Sequence, residues 1–111
     1  MAELRFSQLS APRQAFIRRC QRLDHGIIRG LEVNDGEPLF GLNTEVLHDL
    51  KLDGDEAARP EQDLSDFVVP REIRRLVSML EAMRNGTIDH VEVRAGVPRR
   101  IIFKAADPAQ R

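Results

Sequence analysis

Apolar residues in the first part of the chain recur with the period of an amphipathic helix. Four of them fall on one helical face at spacings i, i+1, i+4 and i+7: Phe16, Ile17, Cys20 and Leu23. Ser10 suits the N-cap, and Pro12 fits in the first turn, where its missing N–H is not needed. The pattern therefore predicts a helix that ends near Asp24.

The same apolar pattern returns sixty residues later, at Leu76, Val77, Leu80 and Met83. Pro70 is expected at the first helical position, and Glu72 in the first turn complements the helix dipole. This pattern predicts a second helix that ends near Arg84.

A glycine follows each predicted helix, in His25-Gly26 and in Asn85-Gly86. Glycine adopts the left-handed conformation without a steric penalty, so both pairs are expected to end their helix, with His25 and Asn85 in a capping role.

The segment after each glycine has the alternation of a half-buried strand. Leu31 and Val33 point to one face, as do Val91 and Val93, whereas Glu32 and Glu92 point to the other. The turns at Gly36 and Gly96 predict three-residue hairpin loops with a bulge. Pro38 and Pro98 follow, and each is expected either to face outward on an edge strand or to sit at a bulge.

These two segments resemble each other beyond the shared periodicity. Between Gly26 and Pro38, six of thirteen positions are identical to those between Gly86 and Pro98, where chance predicts about one. The repeat is defined by six residues, Gly26, Gly36, Pro38, Gly86, Gly96 and Pro98. We interpret the chain as one domain, 1–111, with repeats 12–40 and 72–103 joined by an acidic connector, 41–69.

The elements together predict an α+β fold in the order αβββαββ, with an antiparallel sheet of about five strands and two helices on one face. Residues 45–52 are the ambiguous element, because they fit a strand or one helical turn; we interpret them as a strand. Residues 1–9 are expected to be only partly ordered. The return strand ending at Phe103 is apolar on both sides and is therefore expected to be central or covered.

Composition narrows the function classes. The chain has no tryptophan or tyrosine, and its net charge is −1, with an acidic middle and a basic second repeat. Cys20 lies on the apolar helix face and is expected to be a buried, unreactive thiol. No apolar stretch reaches membrane-spanning length and no signal peptide is recognisable, so we expect a cytoplasmic protein without membrane contact.

No catalytic, cofactor or metal motif is present in the sequence, so we expect no enzyme activity and no cofactor. Three isolated histidines, His25, His48 and His90, are expected to be ordinary polar residues. The loop 53–65 contains acidic residues but lacks the EF-hand pattern, which favours a solvated linker over a calcium site. Glu32 and Glu92 are either a paired-carboxylate site or, as we favour, members of cross-strand ion pairs.

Arginines offer the main candidate surface for phosphate or a partner. Those singled out are Arg18, Arg19, Arg22, Arg75, Arg94, Arg99 and Arg100. Such a surface suits nucleic acid, although clustered arginines are also common on solvated faces.

The pattern GxIxxxEVxxGxP, carried by residues 26–40 and again by residues 86–103, resembles the YezD-like family of short bacterial proteins. That resemblance implies a helix followed by a glycine-containing hairpin, and no transferable activity; Pro38 and Pro98 depart from the family pattern. We expect a non-enzymatic interaction or regulatory module of bacterial type that forms a homodimer through its exposed strand edges. The alternative is a nucleic-acid-binding protein.

Overall fold

Two helices and five antiparallel strands follow one another in the predicted order. The structure is a computed structural model and describes residues 3–53 and 64–104. The elements are α1 (Ala11–Leu23), β1 (Gly26–Asn34), β2 (Glu37–Leu39), β3 (Glu45–His48), α2 (Arg71–Met83), β4 (Gly86–Arg94) and β5 (Val97–Phe103). The α+β class and the order αβββαββ are therefore confirmed.

The central strands of the sheet are β1 and β4, which pair antiparallel over most of their length. The strand order is β2-β1-β4-β5, and β3 also pairs with β1. Because β2 binds the end of β1 and β3 binds its beginning, these two short strands share one flank of β1. The free edges of the sheet are therefore β2 and β3 on one side and β5 on the other.

One side of the sheet and both helices form a single apolar core. The sheet contributes six buried residues, Ile28, Leu31, Val33, Ile88, Val91 and Val93. Phe16, Ile17 and Cys20 of α1 join them, as do Ile73 and Leu80 of α2. Burial of these side chains is the main force that holds the helices against the sheet.

The pairing of β1 with β4 repeats itself when residue numbers are shifted by sixty. Ile28 faces Val91, and Leu31 faces Ile88. The hairpin turns also bond across the molecule. The Gly36 N–H donates to the Arg84 carbonyl at 2.7 Å, and sixty residues on, the Gly96 N–H donates to the Asp24 carbonyl at 2.9 Å. Each turn is thus bonded to the end of the other helix.

The helix ends differ from the prediction. The positive φ belongs to Asp24 and Arg84, each at 66°, two residues before the glycines expected to provide it. The His25 N–H donates to the Leu23 carbonyl at 2.8 Å, so the chain reverses in a tight γ-turn. Gly26 is needed for another reason, since a Cβ there would lie 2.2 Å from the Leu47 carbonyl oxygen.

The start of α2 is also displaced from the prediction by one residue. Pro70 is the N-cap, with φ −69° and ψ 165°, and the helix begins at Arg71. An extended ψ at Pro70 is incompatible with a helical first residue, although the fixed φ of proline suits both positions.

The hairpin loops contain two residues rather than three. Asn34 pairs with Glu37, and Arg94 pairs with Val97. Both residues of each turn have positive φ, 53° and 76° at Asp35-Gly36 and 53° and 75° at Ala95-Gly96. These are the type I′ turns that match the twist of a hairpin, so the prediction of a three-residue loop was wrong.

Pro38 and Pro98 lie on edge strands, as predicted, but their side chains are buried rather than facing outward. Glu92 pairs with Arg100 whereas Val93 pairs with Pro98, so an irregularity leaves Arg99 without a partner in the register. This extra residue shifts the alternation of side chains along β5 by one position. Ile101 is therefore half-buried and Ile102 is exposed.

The return strand β5 is an edge strand and Phe103 is 36% exposed, so the expectation of a central or covered strand was wrong. In the N-terminal segment, Phe6 stacks on Phe67 with ring centroids 5.0 Å apart and is only 5% exposed. Residues 45–52 do form a strand, but only over Glu45–His48.

Candidate functional site

The second half of the chain forms an arginine-rich depression between α2 and β5, which we call the arginine groove. It has a volume of about 330 Å³ and is lined by Glu72, Arg75, Leu76, Met79, Pro98, Arg99, Arg100 and Ile101. The apolar lining comes from side chains that belong to the core or pack against it. The arginines come from both elements, so the groove exists only because β5 returns beside α2.

One arginine of the groove is fixed by an acid. Arg99 Nη1 donates to Glu72 Oε2 at 2.9 Å, and Arg99 Nε donates to the Arg94 carbonyl at 3.2 Å. The pKa of Glu72 is lowered by its own backbone N–H in the first turn of α2, and then by the charges of Arg99 and Arg71. Glu72 is therefore ionised near neutral pH, and its carboxylate is paired with Arg99.

A second depression of about 350 Å³ adjoins the groove along α2 and is lined by Arg71, Arg74, Arg75 and Ser78. Arg71 and Arg75 are one helical turn apart, so they lie on the same face. No carboxylate of residues 3–53 or 64–104 lies within ion-pair distance of Arg71, Arg74, Arg75 or Arg100. Arg75 lines both depressions and joins them into one cationic strip.

The predicted arginines of α1 do not belong to this strip. The Arg18 guanidinium lies 4.3 Å from the ring centroid of Phe6 and 5.5 Å from that of Phe67. Arg18 also donates to Gln21 Oε1 at 2.8 Å and to the Leu64 carbonyl. Arg18, one of the candidate surface arginines, therefore packs on the N-terminal segment and does not join the arginine groove.

The remaining predicted arginines are dispersed. Arg19 is half-buried and Arg22 is exposed, and neither lines the groove. Arg94 Nε lies 3.3 Å from Glu92 Oε1. Of the seven arginines predicted as one surface, the structure brings together Arg75, Arg99 and Arg100. Arg71 was missed, although its helical spacing to Arg75 was a usable signal.

The face of the sheet opposite the helices is a second candidate surface, which we call the outer sheet face. Leu47, Ile27, Glu92 and Arg100 form one row across the strands, and Glu45, Arg29, His90 and Ile102 form the next. Leu39, Leu47 and Ile102 on this face are 39%, 42% and 45% exposed. None of them belongs to the core, so neither helix covers this face.

Glu32 and Glu92 are not brought together. Glu92 lies opposite Ile27, which is five residues from Glu32 along β1, so their backbones are about 17 Å apart at the rise of an antiparallel strand. Even inverting glycosidases place their carboxylates only about 10 Å apart, so the paired-carboxylate hypothesis was wrong. Glu92 pairs with Arg94 on its own strand, so this ion pair is not the cross-strand pair that we favoured.

The other candidate ligands have structural roles or remain dispersed. Cys20 is fully buried, and burial raises the pKa of its thiol to about 12, so it is unreactive as predicted. The His25 Nδ1 accepts from the Ala95 N–H at 3.3 Å, so it contacts the opposite hairpin instead of capping α1. Among residues 3–53 and 64–104, no three His, Cys, Asp or Glu side chains cluster in a way that would hold a metal ion. Most of the loop 53–65 considered for calcium lies outside the described residues.

Sequence reasoning overlooked a polar network beneath the first hairpin. Arg13 Nη2 donates to the Gly36 carbonyl at 3.1 Å, and the guanidinium lies 3.8 Å from both Glu37 and Glu81. The Ser10 hydroxyl donates to Glu37 at 2.6 Å. A signal was present, because Arg13 aligns with the core residue Ile73 in the repeat.

Comparison of the chain with protein-family models, with curated proteins and with solved structures finds no significant match in any of the three. The resemblance to the YezD-like family therefore stays a prediction from the motif. Within the described part of the chain, neither helix has the length and apolar character needed to cross a bilayer.

Proposed function

We propose that this protein is a non-enzymatic interaction module that associates with a second copy of itself through the outer sheet face. The observation that carries the proposal is the exposure of Leu39, Leu47 and Ile102 on a sheet face that neither helix covers. Apolar residues that share one uncovered face are typical of an interaction surface.

The size of the face fits a weak dimer. Four strands side by side span about 19 Å, and the nine residues of β1 span about 30 Å, which gives about 600 Å² per copy. Two copies would bury about 1,200 Å², at the lower limit of specific interfaces. We therefore expect a dimer whose population depends on concentration.

Charge on the same face favours a second copy as the occupant. The outer sheet face carries Glu45 beside Arg29 and Glu92 beside Arg100. In a twofold contact the acids of one copy can lie against the bases of the other, whereas a strongly charged partner would meet like charges.

The free edge of β5 is a less favourable place for self-association than the sequence predicted. The cations Arg99 and Arg100 of β5, with Lys104 just after it, would approach their own copies in a β5–β5 pairing. Charged residues on an edge are a common protection against such pairing. The proposal therefore moves the dimer contact from the strand edges to the outer sheet face.

We include in the proposal that the two halves are related by a local twofold axis and arose by duplication, and that the protein is cytoplasmic. Support for the duplication comes from the residue pairs and turn contacts that recur at a shift of sixty. Superposition of residues 12–40 on residues 72–103 in an experimental structure tests the axis, and a poor fit would reject it.

Sedimentation velocity across a wide concentration range tests the dimer. The wild-type chain should shift from monomer towards dimer, and Ile102→Glu with Leu47→Glu should remain monomeric while keeping its circular dichroism spectrum. The matched control is Leu42→Glu, since Leu42 is fully exposed in a turn outside the sheet. A wild-type chain that stays monomeric at every concentration would reject the proposal.

A further inference from the structure

The arginine groove and the adjoining strip on α2 contain more positive charge than the fold uses. Five arginines line the two depressions, Arg71, Arg74, Arg75, Arg99 and Arg100. Among the described residues that line the two depressions, the one acid is Glu72, which already pairs with Arg99. Like charges held close together destabilise a folded chain unless a counter-charge is supplied.

The first half of the molecule shows that the framework does not need these charges. The positions sixty residues earlier are Ala11, Gln14, Ala15, Leu39 and Phe40. In that half Phe40 stacks on Phe16, with ring centroids 6.2 Å apart. The arginines therefore belong to the second half alone, which is expected of a binding site and not of a requirement for folding.

We propose that the arginine groove, together with the strip on α2, binds a phosphoryl group. Guanidinium groups are planar and donate two parallel hydrogen bonds to phosphate oxygens, and they carry their charge at every physiological pH. Arg71, Arg74 and Arg75 have no ion pair within the described chain, so their donors are available, whereas Arg100 borders the groove from β5 and lies beside Glu92 in the sheet register. Ser78 adds a hydroxyl donor beside them.

The floor of the groove indicates what carries the phosphoryl group. Leu76, Met79, Pro98 and Ile101 give it an apolar surface, and its volume lies at the lower limit of small-molecule pockets. No aromatic ring lines the groove, so stacking of bases contributes nothing there. A small phosphorylated molecule with an apolar or ring-shaped body fits these features, and the phosphodiester of a nucleic acid is the other source of the same group.

Isothermal titration at low salt with three probes tests the site and separates the sources. The probes are inorganic pyrophosphate, adenosine monophosphate with adenosine as its uncharged control, and a single-stranded oligonucleotide. Binding of the mononucleotide and not of adenosine supports a small-molecule site. Binding of the oligonucleotide alone, with a steep salt dependence, supports the phosphoryl site and assigns it to a polymer backbone.

The variant Arg74→Gln with Arg75→Gln should weaken binding of the responding probe at least tenfold, because each charge-assisted hydrogen bond contributes more than a neutral one. The matched control, Arg19→Gln with Arg22→Gln on α1, should leave the affinity unchanged. Arg74 and Arg75 lie on α2, outside the outer sheet face, so this result is independent of the dimer test. Absence of binding by all three probes, or equal losses in both double variants, would overturn the proposal.

Discussion

Each half of this protein contains a helix followed by a hairpin, with turn contacts that recur at a shift of sixty residues, but the two halves place their charged residues differently. In the first half, the largely buried Arg13 lies beneath a hairpin, 3.8 Å from Glu37 and 3.8 Å from the exposed Glu81 of α2. In the second half the aligned residue is the buried Ile73, and the charge lies outside in the arginine groove. The backbone contacts of the turns are therefore common to both halves, whereas the charged side chains differ in position between them.

The largest effect is expected where the halves are most alike. Ile28 and Ile88 are both fully buried. Across the pairing of β1 with β4, Ile28 faces Val91 and Ile88 faces Leu31. Ile28→Ala and Ile88→Ala should each lower the free energy of unfolding by about 2–5 kcal/mol, because each leaves a cavity in the same core. Urea denaturation measures both, and Ile102→Ala, on an exposed residue, should change it by less than about 0.5 kcal/mol. Very different losses at the two buried positions would break the comparison.

The next effect concerns Arg13, whose aligned residue in the second half is the buried Ile73. Arg13→Ala should lower the free energy of unfolding by about 1.5–3 kcal/mol, because the Gly36 carbonyl loses a charged donor and Glu37 loses its nearby positive charge. Arg13→Ile with Glu37→Val, which copies Ile73 and Val97, should cost less than Arg13→Ala, since apolar replacements of buried ion pairs are often neutral. Urea denaturation decides between them. A loss for Arg13→Ala no larger than that for Arg22→Ala would show that the network contributes nothing.

A smaller effect is expected at the two hairpin turns. Ala95 has φ 53°, a conformation that is unfavourable for alanine, and Asp35 has the same φ with a more suitable side chain. Ala95→Asn should raise the free energy of unfolding by about 0.5–1 kcal/mol, and Asp35→Ala should lower it. Thermal unfolding of the two variants checks the opposite signs. A decrease on Ala95→Asn would mean that the turn strain is relieved elsewhere.

The smallest effect depends on pH and lies outside the repeats. Asp66 accepts from Arg5 Nε at 2.8 Å and from the Ser7 N–H at 2.8 Å, which lowers the pKa of its carboxyl from 3.8 to about 2. A depressed folded-state pKa gives stability that is present above the unfolded value of about 3.8 and is lost as pH falls towards 2. The wild-type free energy of unfolding should therefore rise between these two pH values.

The control for this pH dependence is a pair of amide variants. Asp66→Asn should flatten the rise in a urea titration repeated over that pH range, because an amide cannot ionise. Asp89→Asn, at an exposed position of β4, should keep the wild-type slope. An unchanged slope in Asp66→Asn would show that the contact with Arg5 does not stabilise the fold.

Local pattern was sufficient to predict most of the framework. The periodicity of Phe16, Cys20 and Leu23 identified a helix whose buried face is the predicted one. Strand alternation placed Leu31 and Val33 in the core, and both are buried. These features were predictable because they depend on neighbours within a few residues, whose geometry is fixed by the helix and strand repeats.

Errors arose where distant segments decide the outcome. The contact of Arg18 with Phe6 and Phe67 joins three separate parts of the chain, and no local pattern indicates it. The hairpin loops were misjudged by one residue because a two-residue and a three-residue loop share the same glycine signal. For the candidate site, the sequence identified Arg75, Arg99 and Arg100 as surface residues. It did not predict that they line one groove, because that depends on how β5 returns beside α2.

By itself, therefore, the sequence determined the elements, their order and most of the buried positions on the helices and central strands, because apolar side chains at regular spacing form one buried face. Only the tertiary structure decided which strands are edges, which sheet face is uncovered and which arginines gather around one groove. Those properties depend on the register between β1 and β4 and on the path of β5, where chain reversal brings together residues far apart in sequence. Arg18, which packs on two aromatic rings, and Arg75, which lines the groove, are both arginines, and only their tertiary contacts distinguish their roles.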